Sequence, residues 1–93
     1  MNAAERACAE RLRTLFAGLV PSGNSETLYL RPVIEEARRI IWAEGRVTPQ
    51  SALLARAIEQ RLQRVLTERS QMVAEPLVSS VELRAILLDS IGD

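Results

Sequence analysis

The stretch Ala43-Glu44-Gly45-Arg46-Val47-Thr48-Pro49-Gln50, AEGRVTPQ, decides the fold, because it ends one helix and starts another within a few residues. Gly45 suits the left-handed conformation that closes many helices. Thr48 then offers its hydroxyl as an N-cap, and Pro49 fits the first helical position, where a missing N–H costs nothing. So short a connection makes the two helices antiparallel neighbours.

Upstream, Val33, Ile34, Ala37, Ile40 and Ile41 recur at helical spacing, which predicts a helix over residues 30–44 with Pro32 in its first turn. Downstream, Leu54, Ile58, Leu62, Val65, Leu66 and Met72 share an arc, which predicts a helix over residues 49–74 that ends before Pro76. Ser79 and Glu82 then form a capping box, with Val78 placed to staple onto Leu83, and a last helix is expected over residues 79–91. At the other end, Cys8, Leu12, Leu15, Phe16 and Leu19 give a first helix over residues 3–19, followed by a loop built on Gly18, Pro21, Gly23 and Asn24. No internal repeat, period-two strand or hairpin signal is evident. The expectation is all-α: one domain of 93 residues forming a compact four-helix array or irregular bundle.

With 47% hydrophobic and 26% charged residues the chain has globular composition. No apolar run approaches the length of a membrane span, and the N-terminus is charged from Glu5 onward, which argues against a secretory signal. A cytoplasmic protein without a membrane partner is expected. Twelve acids balance twelve bases, so no overall field steers the molecule toward nucleic acid. All twelve cations are arginine, which fits a GC-rich bacterial or phage genome and supplies planar donors suited to interfaces.

Histidine and lysine are absent, and the lone cysteine, Cys8, lies on the apolar face of the first helix as a core thiol. Glu35 and Glu36 are adjacent, which splays their side chains apart; Glu35 is expected to support Arg38 and Arg39 at i+3 and i+4. Metal-ligand spacings and a phosphate-cradling loop are both missing. Neither an enzyme nor a bound cofactor or metal is expected.

Two surfaces exceed the needs of a core. With Val33 set at zero and 100° per residue, Trp42 falls at about 180°, between Arg38 at about 140° and Glu35 at about 200°. Either the first helix, the Pro21 loop or the RVTPQ segment folds over the ring, or Trp42 with Arg38 and Arg39 anchors a partner. The last helix is apolar almost all round, through Leu83, Ile86, Leu87 and Ile91, which suggests a homodimer or another protein partner docked there. Arg69 falls inside an apolar arc, where it either extends along the core to solvent or pairs across an interface with Glu75 or Asp89.

The sequence therefore points to a small non-enzymatic protein-interaction module, an adaptor, chaperone-like protein or inhibitor. The rival is a helix-turn-helix regulator that reads DNA through Arg56, Gln60, Gln63, Arg64 and Thr67, a polar stripe without an acid in it but flanked by Glu59 and Glu68. From Arg31 to Arg69 there are eight Arg and five Glu, a thin surplus for a polyanion.

Overall fold

A computed structural model describes residues 2–22, 26–44, 48–89 and 91. Four helices form one core, as expected: α1 (Ala3–Ala17), α2 (Leu30–Glu44), α3 (Pro49–Met72) and α4 (Ser80–Asp89). The sequence patterns did not reveal two short strands, β1 (Thr27–Tyr29) and β2 (Leu77–Ser79), which pair antiparallel with Leu28 opposite Val78. The order helix–strand–helix thus occurs twice, and the two strands tie the halves together.

Three of the four helices start at a side-chain cap. Asn2 Oδ1 accepts the Glu5 amide at 2.9 Å, Thr48 Oγ1 accepts the Ser51 amide at 3.0 Å, and Ser79 Oγ accepts the Glu82 amide at 3.1 Å. Only that half of the expected Ser79–Glu82 box is made, because the Glu82 carboxylate turns instead to Arg69 on α3. Arg69 thereby resolves within the chain rather than with Glu75 or Asp89. The cap expected of Gly45, and the turn residues Gly23 and Asn24, lie outside the described residues.

The helix ends are shorter than the apolar patterns suggest. α1 stops at Ala17, and the amides of Leu19 and Val20 bond three residues back to Phe16 and Ala17, a tighter winding that carries Leu19 onto the core. α3 stops at Met72 with Val73 as an extended cap, which leaves Met72 84% exposed beyond the end of the core stripe it was expected to join.

The core joins Cys8, Leu12 and Phe16 of α1, Leu30, Ile34, Ala37 and Ile41 of α2, Ile58, Leu62 and Leu66 of α3, and Leu83 and Leu87 of α4, with Val78 and Ile91. The alternation of strand side chains places Leu28 and Val78 inward and Thr27, Tyr29, Leu77 and Ser79 outward. Hydrogen bonds from Leu30 N to Pro76 O and from Ser80 N to Glu26 O bracket the sheet. Among the described residues no helix is long and apolar enough to cross a membrane.

Candidate functional site

α2 and α3 form an antiparallel pair stitched along one side by arginine. Arg31 donates to Ser70 Oγ at 3.1 Å and reaches Glu75 at 3.9 Å. One end of the seam is thus fixed. Two turns further along, Arg38 donates through Nε to Glu59 Oε1 at 3.3 Å and through a terminal nitrogen to Gln63 Oε1 at 3.4 Å. Gln63 in turn donates to Thr67 at 3.3 Å. The step from Arg31 to Arg38 on α2 is matched by an equal step backward from Ser70 to Gln63 on α3, so the helices run side by side. A helix-turn-helix instead crosses its helices at about 90–120°, and the outline read from α2, turn and α3 is therefore a helical hairpin.

Trp42 lies one turn beyond Arg38 on this flank of α2. The buried stripe is Leu30, Ile34, Ala37 and Ile41; Val33 and Ile40, expected within it, are only partly buried on its margin. At 100° per residue its middle lies about 110° from Trp42, so the ring sits on the flank of the helix rather than on its back. Its neighbours in the described chain leave it 52% exposed. Arg39 pairs with Glu36 at 2.7 Å, and Arg38 with Glu59; the expected support from Glu35 is thus supplied by other acids.

On α3, Leu53, Arg56, Gln60 and Arg64 follow at spacings of three and four and share one exposed face. Leu53, 68% exposed, is not among the residues that the sequence singles out. Its signal was available: it stands off the apolar arc of its helix just as Trp42 does. The Arg38–Gln63 bond joins the two sets of residues that the sequence suggests for different functions: it ties the Trp42 flank of α2 to α3, whose outward face carries Leu53, Arg56, Gln60 and Arg64. Neither Arg56 nor Arg64 takes part in an ion pair among the described residues.

The surface expected on α4 is not there. Leu83, Leu87 and Ile91 are buried within the chain, and Ile86 is half-buried against the core. Strand pairing is the physical reason: β2 holds the start of α4 against the body of the protein, so the helix packs on α1 and its leucines are consumed internally. What α4 leaves outside includes the apolar Val81 and a shallow cleft of 330 Å³ floored by Val65, Ala85 and Ile86; on the sheet, Tyr29 and Leu77 are the exposed outward pair.

Cys8 is fully buried. Among the described residues no group of three His, Cys, Asp or Glu could hold a metal. The loops ahead of the two strands contribute Glu26 and Glu75 as carboxylates, which is far from the oxygen-rich ligand set of a helix–loop–helix calcium site. No family model, no curated protein and no solved structure matches the chain.

Proposed function

We propose that this protein is a non-enzymatic protein-interaction module, an adaptor, chaperone-like protein or inhibitor, whose binding face is the side of the α2/α3 hairpin that carries Trp42. The half-exposed tryptophan one turn from Arg38 carries the reading. Trp and Arg dominate binding hot spots because each combines a large contact area with directed polar contacts at modest entropy cost. Here the arginine is already oriented by Glu59 and Gln63, so less of its freedom is lost on binding. Leu53, exposed on α3, supplies a second apolar anchor.

The test is capture from the organism that expresses the protein, with wild type and Trp42→Ala side by side and Val81→Ser as a surface control. A partner retained by wild type and Val81→Ser but lost from Trp42→Ala supports the reading. A partner held equally by all three refutes it. Trp42 is the only tryptophan, so its emission reports directly: binding should shift it to the blue and protect it from a soluble quencher.

Self-association belongs to this reading as a property of the remaining apolar surface. Tyr29 and Leu77 are the exposed candidates, in place of the buried leucines of α4. Light scattering over a concentration series decides it, with Leu77→Glu as the breaking substitution.

The DNA-binding rival draws on the exposure of Arg56, Gln60 and Arg64. Gln63 and Thr67, the other two residues of that stripe, are already engaged, Gln63 with Arg38 and with Thr67. Failure to bind random duplex at low salt, where phosphate contacts are strongest, removes it.

A further inference from the structure

We infer that the partner element received by the α2/α3 face is an acidic amphipathic helix, laid along α3 with its apolar side toward Trp42 and Leu53 and its carboxylates opposite Arg56 and Arg64. This rests on the preceding reading of the face as a protein-binding surface, and three observations give it chemistry.

The first is charge. Arg38 and Arg39 have their acids, Glu59 and Glu36, whereas Arg56 and Arg64 have none among the described residues. Two unneutralised guanidinium groups on one helix face, with Gln60 between them and no acid in the stripe, are complementary to carboxylates, which arginine binds in a planar two-point fork.

The second is width. Glu35 shares the Trp42 side of α2, and Glu68 follows Arg64 by one turn on α3; both are exposed. The positive strip is therefore narrow, bordered by negative charge. A broad polyanion such as duplex DNA brings phosphates against those borders, while a single helix confines its carboxylates to one stripe and avoids them.

The third is backbone. Among the described residues this face is built from α2 and α3, and both strands sit at its other end, at the start of α2 and beyond the end of α3. An extended peptide would find no strand edge here to satisfy its main chain, whereas a helix satisfies its own and packs into the seam between two others. Arg56 and Arg64 are about 12 Å apart along α3, so the partner's acids should recur at i and i+7 or i+8.

Fluorescence anisotropy with three labelled probes tests this: an 18-residue amphipathic helical peptide with Leu on one face and Glu at i, i+4 and i+8 beside it, the same peptide with Lys for Glu, and a random DNA duplex. The acidic peptide should bind about tenfold more tightly than the basic one, and Arg56→Glu with Arg64→Glu should reverse that preference. Both substitutions are on exposed positions, and circular dichroism checks that the variant stays folded. Equal binding of the two peptides, no reversal in the variant, or no peptide binding at all overturns the inference. If Trp42→Ala still abolishes capture of the native partner under any of those outcomes, the interaction face stands and only the acidic helix is refuted. Tighter binding of the duplex than of either peptide, lost with the arginines, overturns both.

Discussion

Thr48 uses one hydroxyl twice. It accepts the Ser51 amide at 3.0 Å and donates to the Ser51 hydroxyl at 2.8 Å, and Ser51 is buried against the core. Losing an N-cap of this kind costs about 1–2 kcal/mol, and a buried hydroxyl deprived of its partner adds about 1 kcal/mol more. Thr48→Ala should therefore destabilise more in the native background than in Ser51→Ala, where the second penalty disappears. Urea denaturation of the four variants in the cycle measures the difference; equal costs in both backgrounds would assign the whole effect to the cap. Trp42 is the contrasting residue. A fully buried aromatic truncated to alanine costs about 3–5 kcal/mol, and a half-exposed one should cost well under half of that, so Trp42→Ala is expected to remain folded at room temperature while its binding is lost. A shift of the urea midpoint as large as that of Leu12→Ala would place the ring in the core after all.

At the scale of elements, the helices were legible because caps and apolar spacing are local. Thr48-Pro49 and Ser79 mark starts that the structure keeps, and Pro76 marks the end of α3 only approximately, since the helix stops at Met72. The strands were not legible for the opposite reason. Thr-Leu-Tyr and Leu-Val-Ser are too short to show a period, and they become strands only by meeting each other across fifty residues of sequence. The same long-range pairing decides what α4 buries. Without β2 to anchor it, an all-round apolar helix suggested a surface in need of a partner; with β2, its leucines face inward. The candidate site divides in the same way: that Trp42 stood off the core was legible from spacing, but that Arg38 would cross to Glu59 and Gln63 depended on how two helices align. α4 carries its own prediction. Leu87→Ala should cost about 2–5 kcal/mol by opening a cavity, and Val81→Ser, one helix face away and exposed, less than about 0.5 kcal/mol. Thermal melts of both decide between a core and a docking helix: a Leu87→Ala protein as stable as wild type, with weakened self-association, would restore the docking role.

For the whole molecule the sheet matters more than its six residues suggest. The first amides of a helix ordinarily lack an intrahelical acceptor. In this protein the opening amides of α2 and α4 find theirs across the sheet: Leu30 N bonds to Pro76 O at 2.9 Å, and Ser80 N to Glu26 O at 3.0 Å. Each strand therefore caps the helix that follows its partner, so neither α2 nor α4 can loosen at its start without breaking the pairing between the halves. Alternation in an antiparallel ladder makes Leu28 and Val78 the hydrogen-bonded pair between these two bonds, and Val78 is buried beneath them. Helix-start amides usually exchange quickly because helix ends fray at little cost. The amides of Leu30 and Ser80 should instead exchange only by global unfolding, with protection free energies within about 1 kcal/mol of the denaturant-derived stability. Native-state hydrogen exchange at increasing urea tests this amide by amide. Rapid, urea-independent exchange at both positions would mean that the sheet opens locally and that the two helix–strand–helix halves are held by the apolar core alone. In the linked molecule, a partner bound at Trp42 on α2 would restrain β1 and, through β2, the start of α4, so its binding should raise the protection of Ser80 along with that of Leu30.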